Sequence, residues 1–414
     1  MALHLQVAIA HPDAISFGSS SSGGHAYLVD SLAGEDEAGQ RLKRTALRDF
    51  LPVPDDVREA PGPGYQFRVS RDTVPVPVLL KYALKLVGLP AHGPGEKVAW
   101  WIDFLYQDER CELAHQKFGV RLMLATEAPI DEAHRKMERI VKQLRSSLRV
   151  VEKLIVDAAP EILSAGNATV VNQHSALRQA YEYFRERASE PIFIEDETTV
   201  TEYEGRGTGV TFFSGARRMQ MNAFHDMIAA ITAYLSLLEH DLVLALPFSG
   251  FDPATDNVTE VIGWRWGLKF ERLLGTDGDA GKYRQRLTEV VERWRNPYSH
   301  GGFEKGHGAT IYLHTPGVNA AVPVGLTKVR NSPLFSLLPT TETDIADVFE
   351  LFNEIDTWLK SKLPEAMQWI ESDLNVRFDE AFRSEVDAAR RNNRFDRLIE
   401  RTDYHQSRLD NMEF

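Results

Sequence analysis

The segment Arg295-Asn296-Pro297-Tyr298-Ser299-His300, running into Gly301-Gly302, sets a permanent cation and a titratable imidazole side by side in the chain. A guanidinium holds phosphate oxygens through a rigid fork of donors, and an imidazole gains or loses a proton near neutral pH. Together they supply charge stabilisation and proton transfer for cutting a phosphodiester without a metal. Pro297 disfavours helical geometry at the residue before it, so a break is expected at Asn296, with a new turn starting at Pro297. That break matters because residues five apart on a continuous helix diverge by roughly 140°. A kink brings His300 back toward Arg295, and the two glycines let the backbone approach a substrate closely. The same residues also admit a structural reading, in which Arg295 and His300 are cations at a helix C-terminus and Asn-Pro is ordinary punctuation.

Arg-to-His spacings of this kind recur at Arg110 to His115 (RCELAH), Arg218 to His225 and Arg293 to His300. Arg295 stands apart through Asn296, the glycines, the amphipathic stretch before it and a long apolar helix upstream. That upstream helix is expected to bury Phe224, Ile228, Ile231, Leu235, Leu238, Leu242 and Ala245. A second carries Ile262, Trp266, Phe270 and Leu273. A third places Leu287, Val290, Val291 and Trp294 on one stripe and delivers the chain to Arg295. A fourth starts near Thr341, with Asp344 completing a variant capping box, and buries Ile345, Val348, Phe352, Ile355 and Leu359. Four helices around one core follow.

The expected fold class is mainly α (α+β). Residues 1–95 read as a small domain of strands and irregular loops (LQVAIA, HAYLVD, YQFRVS between FGSSSSGG and PGPGY). Residues 96–190 read as long helices, with Trp100, Trp101, Phe104 and Leu105 on one side and a stripe from Met137 to Ile155. Residues 191–214 read as a β-hairpin turning at Gly205-Arg206-Gly207, 215–374 as the four-helix domain, and 375–414 as a charged, exposed helix or tail. FGSSSSGG lacks the lysine of a phosphate-cradling loop, and GRGTG lies in a turn instead of between a strand and a helix.

Bulk properties narrow the function classes. The formal net charge of −13 excludes a surface that is basic throughout, so any nucleic-acid contact must be local. Between residues 282 and 305 six Lys or Arg face three Glu, which makes that region basic in an acidic chain. One cysteine, Cys111, excludes an internal disulfide framework and a multi-cysteine zinc site. His300, His307 and His314 recur at sevens with Glu304 between them, yet no HExxH or tight histidine pair supports a metal site, and GHGATIYLH reads as a strand. No metal or cofactor is expected. The N-terminus lacks a basic leader, and the apolar run Met227 to Phe248 is interrupted by Glu239, His240 and Asp241, which suits a packed helix better than a membrane span. A cytoplasmic location and no membrane association are expected.

RNPYSHGG resembles the motif of the HEPN superfamily (higher eukaryotes and prokaryotes nucleotide-binding), whose four-helix domains carry an Arg, four to six residues, then His, often with Asn after the Arg and Gly after the His. The resemblance covers roughly residues 216–373. It implies a metal-independent endoribonuclease working as a homodimer, a toxin-like or antiviral defence effector restrained by its N-terminal region through a partner protein or small-molecule trigger. On this resemblance Arg295, His300 and Asn296 are catalytic, Glu239 or Asp241 on the earlier helix is the supporting acid, and Arg286, Arg293 and Lys305 contact RNA. The alternative within the resemblance is a non-catalytic dimerisation or nucleotide-binding sensor module.

Overall fold

The computed structural model describes residues 32–54, 63–203, 205, 207–299, 310–314, 316–317, 321–325 and 340–413, so LQVAIA, HAYLVD and FGSSSSGG lie outside the described residues. Helices dominate, with small antiparallel sheets, as a mainly α (α+β) class requires. The chain divides into two compact units, residues 1–168 with 379–414, and residues 169–378.

In the first unit, α1 (Glu35–Arg44), β1 (Phe50–Leu51), β2 (Gly64–Arg68), α2 (Pro77–Leu86) and β3 (Ala91–His92) precede a meander of β4 (Val98–Tyr106), β5 (Glu109–Gln116) and β6 (Gly119–Ala125), then the long α3 (Ile130–Ser164). The antiparallel sheet runs β1-β4-β5-β6-β2, with β3 also on β4. Residues 98–125 are therefore strands, where helical periodicity was expected. Trp100, Trp101, Phe104 and Leu105 fit both periods, and tertiary packing selects alternation: Trp100, Ile102, Phe104 and Tyr106 are buried and the residues between them less so. Gln107 and Asp108, both at positive φ (53° and 66°), form the two-residue turn that matches strand twist and fixes the β4–β5 register. One sheet face packs with Leu80 and Leu84 of α2 and Met137, Ile140 and Leu144 of α3 into a single core.

The second unit contains β7 (Thr169–Val170), α4 (His174–Ser189), the hairpin of β8 (Glu197–Tyr203) and β9 (Gly207–Phe213), and α5 (Gly215–Leu244). It continues through α6 (Val258–Gly263), α7 (Trp266–Leu274), α8 (Gly278–Val290), a π turn at Val291–Arg295, α9 (Asn296–Ser299), the hairpin of β10 (Thr310–His314) and β11 (Ala321–Gly325), α10 (Glu342–Lys362), α11 (Pro364–Glu371) and β12 (Val376–Arg377), which pairs with β7. The β8–β9 hairpin lies where it was expected, with Gly205 in its turn at φ 68°. At the start of α5 a Cβ on Gly215 would sit 2.0 Å from the Ile194 carbonyl oxygen, so only glycine lets the helix begin there.

The bundle adds α4 to the helices expected in it, and α7 packs with them through Phe270 on Trp358 and Lys269 on Glu239. Its long members are α4, α5, α8 and α10. The segment from Ile262 to Leu273 is instead split by extended backbone at Trp264 and Arg265, leaving Ile262 exposed and Phe270 buried. α4 runs antiparallel to α5, as its contacts from one end to the other show: His174 to Asp241, the Tyr181 and Tyr234 rings at 5.2 Å, and Arg187 to Asp226. Tyr234 stacks on Phe352 of α10 at 3.9 Å and donates its hydroxyl to Asp356, which also accepts from Arg178 at 2.6 Å. Among the described residues α5 is the one helix long and apolar enough to cross a bilayer, and 67% of its apolar window is buried in the protein.

The chain then re-enters the first unit as α12 (Glu380–Arg391) and α13 (Phe395–Glu413). The charged stretch 375–414, expected as an exposed helix or tail, is helical in these two segments, and α12 is not wholly exposed: it buries Phe382, Val386 and Ala389.

α10 starts as its sequence indicates. Thr341 accepts from the Asp344 amide, and Asp344 Oδ2 accepts from the Thr341 amide at 3.0 Å. Its other oxygen, Oδ1, accepts from Arg293 Nη2 at 2.8 Å, in a pair whose side chains are 18% and 8% exposed. Asp344→Ala removes a cap worth about 1 kcal/mol and strands a mostly buried cation, so it should destabilise the second unit by about 2–4 kcal/mol in urea denaturation. A loss below about 0.5 kcal/mol would show that this carboxylate is not a structural node.

Candidate functional site

The stripe that delivers the motif forms as expected: Leu287, Val290, Val291 and Trp294 are all buried. The expected break at Asn296 does not occur. Asn296 has helical angles (φ −65°, ψ −45°), and the adjustment precedes it as a π turn in which the Asn296 N–H donates to the Val291 carbonyl. The physical reason is Pro297. It has no N–H to give the Arg293 carbonyl, and its ring would clash there in regular α geometry; widening the preceding turn by one residue relieves the clash without ending the helix.

Contacts fix where this end of α8 lies in the bundle. The Trp294 ring is 6.5 Å from Phe224 of α5, and the Tyr298 ring is 6.4 Å from His225. Along α10 the partners run in reverse: Tyr283 beside Trp358, Arg286 on Glu354, Arg293 on Asp344. α8 is therefore antiparallel to α10, and the motif sits level with the first half of α5 and the start of α10.

The basic residues of this stretch have separate fates. Arg286 is bound through both terminal nitrogens to the Glu354 carboxylate, which holds the Glu354 carboxyl below the usual carboxylate range. Arg293 pairs with Asp344 and lies over the Trp294 ring at 4.2 Å. Arg295 is half-buried, and its side chain makes no hydrogen bond or ion pair with any described residue. Asn296 is also half-buried. His300 and Lys305 lie outside the described residues, so the Arg295 to His300 arrangement has no described geometry. His307 does too, and His314 is exposed on β10.

The expected acids do not join this end. At 1.5 Å of rise per residue, Glu239 and Asp241 lie roughly 20–25 Å further along α5 than His225. Glu239 instead accepts from Lys269 of α7 at 3.0 Å. Asp241 is buried and contacts His174 Nδ1 at 2.9 Å. Burial raises its carboxyl above the ordinary range, against the opposing hydrogen bond and charge of His174. Next to it, His240 Nε2 accepts from the Gln173 amide at 2.9 Å; burial, then repulsion from His174 and Lys269, lowers its pKa to about 4. Ser175 donates to Asp373, and Asn172 donates to the Ile370 and Leu374 carbonyls. These groups tie the start of α4 to the end of the unit and so account structurally for the acids.

The rival spacing RCELAH lies on strand β5, where Arg110 pairs with Asp103 at 3.2 Å and His115 is buried beside Trp100. His225 at the end of the Arg218 spacing is different: it is exposed and next to Tyr298. In the sequence this residue carries a weaker signal, because Met219 and not Asn follows Arg218 and Asp226 and not Gly follows His225. Comparison with protein-family models, with curated proteins and with solved structures gives no match. The functional reading therefore rests on the motif residues and their surroundings.

The His240 environment has a definite pH consequence. The unfolded imidazole protonates near 6.5 and the folded one at about 4. Between those values the unfolded chain binds the extra proton, so stability falls as pH falls, by up to about 3 kcal/mol for this group. His240→Gln, which keeps an acceptor for the Gln173 amide, should flatten the loss of urea-denaturation stability between pH 7 and pH 4.5. Superimposable pH profiles for the variant and the wild type would refute this assignment.

Proposed function

We propose that the second unit is a metal-independent endoribonuclease of HEPN type, acting as a homodimer in which two copies of the motif face one RNA. The observation that carries the reading is Arg295: a half-buried guanidinium left without an ionic partner among the described residues, while its neighbours Arg286 and Arg293 are neutralised by Glu354 and Asp344. A half-buried cation whose donors are unused among the described residues suits an anionic substrate oxygen.

In this reading the ribose 2′-hydroxyl attacks the adjacent phosphorus in line. The 2′-oxygen to phosphorus bond forms as the phosphorus to 5′-oxygen bond breaks. His300 takes the 2′-proton or protonates the departing 5′-oxygen, and the products are a 2′,3′-cyclic phosphate and a 5′-hydroxyl. Arg295 stabilises charge growing on the non-bridging oxygens, and Asn296 orients one of them. DNA lacks the attacking hydroxyl and stays intact. As a toxin-like or antiviral effector, such an enzyme would be restrained by the first unit through a partner protein or a small molecule.

One observation favours the non-catalytic alternative, a dimerisation or nucleotide-binding sensor. Arg286 and Arg293 are consumed by ion pairs, so the basic stretch offers fewer free cations than its composition implies.

Cleavage of total RNA and tRNA in EDTA separates the two. The wild type should cut RNA, and Arg295→Ala and His300→Ala should each slow cutting by about 100-fold or more. A wild type that cuts nothing at high protein concentration favours the sensor. Cutting that survives both substitutions places the chemistry elsewhere.

A further inference from the structure

Beside Arg295 the structure carries a run of rings from the core to the surface. Trp294 is buried, Phe224 lies 6.5 Å from it, His225 lies 5.7 Å from Phe224, and Tyr298 lies 6.4 Å from His225. Tyr298 ends the run with 60% of its surface exposed. A single exposed tyrosine is ordinary. This one is held on a helical turn whose Pro297 is buried, it flanks an exposed histidine, and it lies three positions after Arg295, which has no ionic partner among the described residues; that spacing puts the two positions on one side of the helix.

We propose that Tyr298 and His225 form a stacking platform for an unpaired nucleobase, with Arg295 taking the adjacent phosphate, and that the substrate class is therefore single-stranded RNA. The choice of RNA rests on the ribonuclease reading; the preference for an unpaired base does not. Base pairs in a duplex keep their faces covered by their neighbours, whereas loops and single strands present a face that an aromatic ring or imidazole can cover. Stacking of this kind tolerates any base, so selectivity should lie in strandedness and not in sequence. The placement also suits an acidic protein. One half-buried guanidinium and two rings at one end of the second unit make a local contact that does not need a basic surface.

The test is fluorescence anisotropy in EDTA with a labelled 2′-O-methyl oligoribonucleotide, which cannot be cut through its 2′-oxygen, either single-stranded or annealed to its complement. The wild type should bind the single strand at least about tenfold more tightly than the duplex. Tyr298→Ala should weaken single-strand binding by about tenfold or more, Tyr298→Phe by less than about twofold, and His225→Ala by an intermediate factor. Circular dichroism melting guards against a folding defect, which the exposure of Tyr298 makes unexpected. Equal binding of single strand and duplex, unchanged binding in Tyr298→Ala, or no binding at all overturns the proposal. So does full competition by free AMP at the concentration of its nucleotides, since that would define a mononucleotide pocket. Cleavage of the unmodified oligonucleotide is measured in parallel. Its absence with the binding pattern intact removes the ribonuclease reading and leaves the platform; its presence with binding indifferent to Tyr298→Ala does the reverse.

Discussion

The carboxylate of Asp344 joins two requirements that the rest of the second unit depends on. One oxygen closes the capping box that starts α10; the other holds Arg293 at the π turn of α8. A buried carboxylate needs its lone pairs filled, and a mostly buried guanidinium needs a counter-ion, so each satisfies the other. The pair pins the C-terminal end of α8 against the start of α10. Trp294 then packs toward Phe224. Arg295, two residues after Arg293, has no ionic partner among the described residues.

The π turn belongs to the same device. Pro297 removes one backbone donor and crowds the carbonyl of Arg293, and the chain answers with the longer Asn296 to Val291 hydrogen bond. The helix therefore continues past Pro297 far enough to carry Tyr298 out to His225. π turns often accompany functional positions, because the extra residue re-aims side chains that a regular helix would place elsewhere.

Legibility in the sequence followed the strength of the local signal. The stripes of α5, α8 and α10 and the box at Thr341 and Asp344 were readable because burial and periodicity agree there. The meander from β4 to β6 was not, since adjacent tryptophans satisfy two periods at once and only packing against α2 and α3 chooses between them. α4 was read as part of a helical middle region because it buries few large side chains, and Tyr181 alone gives no stripe to join it to α5. At the site, the buried stripe of the third helix was legible. The fates of Glu239 and Asp241 were not, because their partners Lys269 and His174 are distant in sequence and sequence gives no axial distance between acid and motif. Arg286 and Arg293 counted as free cations for the same reason: Glu354 and Asp344 lie on another helix.

The acidic balance of the chain makes selective neutralisation the governing electrostatic theme. With 60 Asp and Glu against 47 Lys and Arg, the chain has carboxylates enough to neutralise its cations, and both Arg286 and Arg293 beside the motif are paired. The claim that Arg295 serves 2′-hydroxyl attack on a phosphodiester is tested most directly by the chemistry of the RNA ends formed in EDTA, read by mass spectrometry. The account predicts 2′,3′-cyclic phosphate paired with 5′-hydroxyl termini. Ends bearing 3′-hydroxyl and 5′-phosphate would contradict it.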